Sequence, residues 1–178
     1  MRDDQQDWET RVAALWKRVD AISPTELISN IDALAAERPA DDALALFERA
    51  CARDTAGLEA AAEPLYRAAL ASKGLDPYRQ ARAAIQLGST LRLLGQLEES
   101  ERLLSAQLQR YAEAGYGTAL YDETRATLAL TYLLQGRATE AACMALSTLA
   151  PHLSRYNRSL AANAAEILKN TVPASNWS

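Results

Sequence analysis

A recurring spacing of small and apolar residues constrains the fold of this chain more than any other feature. The spacing runs from the pair Leu87 and Gly88 to Gly95, and it returns 41 residues later from Leu128 to Gly136. Repetition at a period of roughly 20–50 residues is the signature of arrays in which each unit packs against its neighbours. We therefore expect stacked helical hairpins that present a surface for binding rather than a reaction centre.

Composition favours helices over strands. Alanine is the commonest residue, the chain has only 7 glycines and 6 prolines, and β-branched residues are scarce. With 178 residues, of which 49% are hydrophobic, the chain is long enough to bury one core. We predict an all-α fold in a single domain over residues 1–178.

Charge and hydropathy exclude several classes of function. A formal net charge of -4 argues against binding nucleic acid, which needs a basic face to neutralise phosphates. No segment reaches the roughly 18 apolar residues of a membrane span, and the acidic N-terminal residues do not resemble a signal peptide. We expect a cytoplasmic protein that does not bind membranes, in which Cys51 and Cys143 are reduced and buried.

A pair of helices is predicted over residues 1–38. The apolar stripe of the first helix recurs at helical spacing and consists of Trp8, Val12, Leu15, Trp16 and Val19. The second helix is expected to begin at Pro24, with Ser23 and Glu26 forming a capping box, and to end before Pro39.

Three further hairpins are predicted over residues 41–153, and a capping helix over 154–170 brings the total to about nine helices. Pro64 conflicts with the helix around it, because a proline in a helix interior costs about 3 kcal/mol. That helix therefore either starts late or bends there. The tail over residues 171–178, which carries Trp177, shows no periodicity and is expected to be loosely ordered.

Apolar stripes are predicted to face inward on the helices of these hairpins. They include Leu58, Ala62 and Tyr66 in the first hairpin, Ser100 and Leu104 in the second, Ala138, Ala141, Ala142, Ala145 and Leu149 in the third, and Tyr156, Leu160, Ala164 and Ile167 in the capping helix.

The hairpins resemble the tetratricopeptide repeat, whose signature is Leu-Gly-x2-aromatic in the first helix and Ala-x3-aromatic in the second. The residues that carry the resemblance are Ala50, Gly57, Ala62, Tyr66 and Ala69 in the first hairpin, Leu87, Gly88, Leu91, Gly95, Ser100 and Leu104 in the second, and Leu128, Ala129, Tyr132, Gly136 and Ala141 in the third. The first hairpin departs from the pattern at Arg53, where the family has an apolar or aromatic residue. The turn glycines lie 38 and 41 residues apart rather than about 34, which is nearer to the long-period, bacterial type.

The resemblance implies a right-handed α-solenoid of antiparallel helix pairs, with three repeats between an N-terminal helix pair and a C-terminal capping helix. It also implies that the first helix of each pair lines a concave face that binds a peptide or helix of a partner protein. The residues on this stripe include Leu44 and Cys51, and the candidate partner-binding residues are Phe47, Arg82, Ile85, Ser89, Arg92, Glu123, Ala126, Leu130 and Leu133. The Lys, Asn and Arg clamp of the chaperone-tail binding branch is absent from these positions.

Two alternatives remain open for this surface and for the N-terminal helix. Leu130 and Leu133 could contact the next helix instead of a partner, and Phe47 could be covered by the two N-terminal helices. The helix with Trp8 and Trp16 could cap the open end of the array, as solenoids require, or exchange between two copies. In the second case the chain would be a self-associating structural module, and its homodimer could form through this helix or through the groove itself.

Enzymatic chemistry has little support in the sequence. His152 is the single histidine, and a nucleophilic pair would need Cys51 or Cys143 to fold against it. Carboxylates scatter along predicted exposed faces, and no glycine-rich phosphate loop is present. We therefore predict a non-catalytic protein with no metal and no cofactor.

Overall fold

The computed structural model describes residues 2–113 and 117–171, and these residues form nine α-helices and two short 3-10 turns without any strand. The predicted all-α fold is therefore confirmed. The chain divides into two compact units, Met1–Leu94 and Gly95–Ser178. The prediction of a single domain stays a prediction.

The first unit contains five helices. They are α1 (Arg2–Trp16), α2 (Pro24–Ala35), α3 (Ala43–Thr55), α4 (Glu59–Ala71) and α5 (Pro77–Leu93). From α2 to α5, each helix packs against the one that follows it. Short connections return the chain beside the preceding helix, as helical hairpins require.

Side-chain caps set the starts of three helices in the first unit. The Ser23 hydroxyl accepts the backbone N–H of Glu26 at 3.1 Å, which starts α2 at the predicted residue. Asp42 and Asp76 cap α3 and α5 in the same way, with N–H donors at 2.9 and 2.8 Å. Each cap satisfies a backbone donor that the first turn of a helix leaves without a partner.

The core of the first unit alternates large and small side chains. The rings of Phe47 and Tyr66 are fully buried and lie 6.3 Å apart, while Ala50 and Ala62 are fully buried between the helices. The small residues let α3 and α4 approach closely. The structure thus confirms that the small positions of the predicted repeat belong to the core.

Three local details of the first unit differ from simple repeat geometry. Pro64 lies inside α4, which starts at Glu59, so a late helix start is not the solution. Leu58 was expected to face inward but is exposed, because it precedes the first turn of α4. Arg53 replaces an apolar residue and instead forms an ion pair with Asp32 of α2 at 2.8 Å.

The second unit contains four helices and a similar core. They are α6 (Leu97–Arg110), α7 (Tyr121–Leu134), α8 (Ala138–Leu149) and α9 (Asn157–Thr171). Each packs against the next. Leu104 and Leu128 are buried, and Ser100 forms a buried hydrogen bond with the Thr131 hydroxyl at 2.9 Å.

The prediction of which residues of α8 face inward is largely wrong. Ala141 is buried as expected, but the other four residues of the predicted stripe, Ala138, Ala142, Ala145 and Leu149, are exposed. Cys143 is buried instead. In this alanine-rich helix nearly every face is apolar, so periodicity did not identify the face that packs.

The capping helix also differs from its prediction. It begins at Asn157 rather than near Ser154, because Tyr156 has a left-handed backbone conformation with φ 63° and stands outside the helix. The side chains of Tyr156 and Ile167 are exposed, whereas Ala164 is buried as expected. The predicted tail, with Trp177, lies outside the described residues from 172 onward.

Candidate partner-binding site

In the second unit, the predicted stripe on the first helix of the third hairpin lies on the protein surface. We call Glu123, Ala126, Leu130 and Leu133 the α7 stripe; all four are exposed. Leu130 is 49% exposed and Leu133 is 53% exposed. The exposed fractions show that neither leucine is covered by a neighbouring helix. The α7 stripe therefore offers two apolar anchors beside a carboxylate.

In the first unit, the predicted stripe on α5 is only partly accessible. Arg82, Ile85, Ser89 and Arg92 are all half-buried. Arg92 donates from Nη2 to the Ser89 hydroxyl at 3.0 Å, which holds both side chains against α5. The Arg82 guanidinium lies 5.1 Å from the centre of the Phe47 ring and forms no ion pair with another described residue.

Phe47 does not belong to the accessible surface, and its place among partner-binding residues needs correction. Its side chain is 0% exposed, packed against Tyr66 of α4 and covered by Arg82 of α5. Tyr66 and Arg82 thus supply part of this cover from α4 and α5. A partner cannot reach the ring without moving Arg82.

A cavity of about 870 Å³ lies in the first unit, where α1, α3 and α5 face one another. We call it the α1 cavity. Its lining includes Leu44, Glu48 and Cys51 from α3 and Arg82 and Gln86 from α5. The inner stripe of α3 and part of that of α5 therefore face α1 across a groove that is open to solvent, since Thr10, Ala13 and Ala14 of α1, which also line it, are exposed.

Two polar contacts join α1 to the far side of the α1 cavity. The Trp16 indole donates from Nε1 to Glu48 Oε2 of α3 at 2.6 Å, and Glu9 forms an ion pair with Arg79 of α5. Burial raises the pKa of the Glu48 carboxyl, although the hydrogen bond from Trp16 opposes this effect. The Glu48 carboxylate is therefore stabilised by a hydrogen-bond donor from α1, which Trp16 supplies.

Sequence reasoning missed Glu48 because an acidic residue was not expected on an inner stripe. A signal was available, since Leu44, Glu48, Cys51 and Thr55 follow the i, i+4, i+7, i+11 spacing of one helix face. All four line the α1 cavity. The contacts of Glu9 and Arg79, which are 70 residues apart in sequence, had no such signal.

The apolar stripe of α1 that carries the two tryptophans packs inside the first unit. Trp8, Val12 and Leu15 are buried, and the Trp8 indole donates to the Leu34 carbonyl of α2 at 2.8 Å. These contacts favour the capping interpretation of the N-terminal helix. An exchange of α1 between two copies would preserve the same contacts.

The thiols and the histidine are not arranged for nucleophilic chemistry. Burial raises the pKa of the Cys51 thiol to about 12, so the reactive thiolate is scarce at neutral pH. Cys143 is also buried. His152 instead contacts Asp122 through Nε2 at 2.9 Å, with most of its side chain exposed.

Neither a metal centre nor a membrane span was found in the described parts of the chain. Across residues 2–113 and 117–171, no group of three or more His, Cys, Asp or Glu side chains could hold a metal ion. Within the same ranges, every helix is too short or too polar to cross a bilayer.

Comparison with known proteins returned one family. A family model described as Tetratrico peptide repeat matches residues 43–167, from the start of α3 into α9. The match includes α5 and α7, which carry most of the predicted partner-binding residues. Neither the curated proteins nor the solved structures gave a match.

Proposed function

Because the chain belongs to the tetratricopeptide repeat family, we propose that it is a non-catalytic module for protein–protein interaction that binds a peptide or helix of a partner. The family has this role in general. We place the binding on the inner faces of the first helices of the repeats, with the α7 stripe as its principal anchor.

The exposure of Leu130 and Leu133 is the observation that carries this proposal. Leucines three residues apart on a helix lie on one face, so they form a continuous apolar strip. Such a strip fits apolar side chains at helical spacing on a partner, or alternate side chains of an extended peptide. Glu123, which forms no ion pair with another described residue, is available to a basic residue at the end of that segment.

Of the predicted binding residues on α5 in the first unit, Arg82 and Arg92 differ in how available they are to a partner. Arg82 forms no ion pair with another described residue, although it lies close enough to Glu48 to favour the charged form of that carboxyl, and its guanidinium could receive an acidic side chain of a partner. Arg92 is less available, since its side chain is half-buried and bonded to Ser89. We therefore expect Arg82, rather than Arg92, to be the residue of α5 that contributes to binding.

Selection of peptide ligands tests the proposal without knowledge of the natural partner. Random peptides of about 16 residues, or roughly four helical turns, are selected on the wild-type chain, and their affinities are measured by fluorescence anisotropy. Leu130→Glu is expected to weaken binding by at least about tenfold, because burying one leucine contributes ~1.5–3 kcal/mol.

Leu149→Glu is the matched control for this experiment. Leu149 on α8 is 49% exposed, the same fraction as Leu130, but it lies outside the α7 stripe. The control should bind the selected peptides as the wild type does. Equal loss in both variants, or no loss in Leu130→Glu, would remove the α7 stripe from the function.

A further inference from the structure

One carboxyl group joins three helices inside the first unit. Asp54 lies in the last turn of α3, and its Oδ2 accepts a hydrogen bond from the Tyr66 hydroxyl of α4 at 3.2 Å. Its Oδ1 lies 3.1 Å from the Thr90 hydroxyl of α5. The side chains of Tyr66 and Thr90 are both 0% exposed. We call Asp54, Tyr66 and Thr90 the Asp54 junction, which connects the hairpin of α3 and α4 to α5.

The Asp54 junction contains no positive charge. Asp54 forms no ion pair with another described residue, because the adjacent Arg53 pairs with Asp32 of α2. The titratable groups that act on Asp54 are Tyr66 and Glu59, both of α4, and α5 contributes only the uncharged hydroxyl of Thr90. Burial and the negative charge of Glu59 therefore raise the pKa of the Asp54 carboxyl, although its two hydrogen bonds oppose this effect.

The number of hydrogens in the Asp54 junction also favours a protonated carboxyl. Thr90 Oγ1 lies within hydrogen-bond distance of two acceptors, Asp54 Oδ1 at 3.1 Å and the Gln86 carbonyl at 2.9 Å. A hydroxyl has one hydrogen, so it cannot serve both acceptors while Asp54 is ionised. A protonated Asp54 donates from Oδ1 to Thr90, and the Thr90 hydrogen then goes to the Gln86 carbonyl. Uptake of one proton thus adds a hydrogen bond and removes a partly buried charge.

We propose that the Asp54 junction is a pH-sensitive switch that controls how firmly α5 is held to the first hairpin. In acidic solution Asp54 takes up a proton from solvent, and hydrogen bonds then run from Tyr66 through Asp54 and Thr90 to Gln86. As the pH rises, Asp54 returns this proton to solvent, and α5 opens more often. The switch is independent of the α7 stripe, whose residues lie in the second unit.

Hydrogen exchange of backbone amides measures the opening of α5. Each rate is divided by that of an unfolded peptide at the same pH, and every chain carries Glu48→Gln so that this second carboxyl does not titrate. Protonation of Asp54 stabilises the junction fully below about pH 4, and this contribution is lost as the pH rises through the folded pKa. We expect the protection of the α5 amides to fall by at least about threefold more than in Asp54→Asn between pH 4 and pH 7, since one unit of pKa corresponds to a tenfold change.

The Asp54→Asn variant reproduces the protonated state at every pH. Its amide oxygen accepts from Tyr66, and its amide nitrogen donates to Thr90. Asp20→Asn is the matched control, because Asp20 is an exposed carboxyl in the 3-10 turn after α1. This control should keep the full pH dependence of α5, and the amides of α8 in the second unit should respond alike in all chains. Equal pH dependence with and without Asp54→Asn would overturn the proposal.

A carboxyl titration by carbon-13 NMR tests the protonation of Asp54 directly. The Asp54 signal is identified by its absence in Asp54→Asn, and its midpoint is expected above the ordinary value of about 3.9. Tyr66→Phe should raise the midpoint further, because the ionised carboxyl loses a donor. Tyr78→Phe, which changes an exposed tyrosine of α5, should leave it unchanged. A midpoint at or below the ordinary value, or equal midpoints in the two tyrosine variants, would contradict the proposed switch.

Discussion

At the scale of single residues, the buried alanines explain how adjacent helices approach each other. Ala62 is fully buried between α3 and α4, whereas its neighbour Ala61 on the same helix is exposed. Ala62→Leu is expected to lower the free energy of unfolding by about 1–3 kcal/mol, since overpacking forces the helices apart. Ala61→Leu should change it by less than about 0.5 kcal/mol. Urea denaturation of both variants checks this, and equal effects would contradict the packing described for Ala62.

Glu48 makes the stability of the first unit depend on pH. Burial raises its pKa in the folded state, so protonation stabilises the fold in acid, and this contribution is lost as the pH rises through the folded pKa. Glu48→Gln is neutral at every pH and keeps an acceptor for Trp16. We expect the variant to be more stable than the wild type at pH 7, with the difference shrinking as the pH falls through the raised folded pKa of Glu48 and reaching its minimum below about pH 4.

Denaturation at a series of pH values measures this difference. A constant difference between Glu48→Gln and the wild type from pH 4 to pH 7 would contradict the charged, enclosed state of Glu48. A Glu48→Gln variant that is less stable than the wild type at pH 7 would also contradict it. Such a result would mean that the attraction between the Glu48 carboxylate and its neighbours outweighs the cost of burying its charge.

At the scale of helices, α4 accommodates a proline in its interior. Pro64 is the sixth residue of α4, and its ring nitrogen cannot donate to the carbonyl of Ala60. Pro64→Ala is expected to raise the free energy of unfolding by about 1–3 kcal/mol, less the entropy that the proline removed from the unfolded chain. Pro77→Ala should give no gain, because Pro77 is at the first position of α5. Thermal denaturation measures both variants, and an equal increase in the free energy of unfolding for Pro64→Ala and Pro77→Ala would refute this explanation.

Helix boundaries were predictable where local chemistry determines them. The capping residue Ser23 and the turn glycines were identified from sequence, and the structure has positive φ at Gly57, Gly95 and Gly136. The packed face of α8 was not predictable, because alanine covers most of that helix and hydropathy does not distinguish its sides. Arg53 was a departure from the repeat pattern, and only the ion pair with Asp32 explains it.

In the candidate site, too, some features could be predicted from local sequence and others could not. The α7 stripe follows from helical periodicity, since its four positions share one face and remain exposed. The burial of Phe47 and the α1 cavity depend on contacts between residues far apart in sequence, such as Glu9 with Arg79. Local spacing carries no information about such contacts.

For the protein as a whole, we predict a monomer. The indoles of Trp8 and Trp16 both find their acceptors within the first unit, so a monomer leaves neither N–H without a partner. Size-exclusion chromatography with light scattering should give a mass near 19.4 kDa at all concentrations, for the wild type and for folded Trp16→Asp alike. A dimer that dissociates in Trp16→Asp would favour the self-associating alternative.

Partners are expected to bind the α7 stripe, and photo-crosslinking can locate their contacts residue by residue. The chain is produced with photo-leucine, which has nearly the shape of leucine, and it is irradiated with a selected peptide. Peptide mapping by mass spectrometry then locates the adducts. We predict adducts at Leu130 and Leu133 of α7. Adducts confined to Leu146 and Leu149 of α8, which are also exposed, would instead place the binding surface on α8 and rule out the α7 stripe.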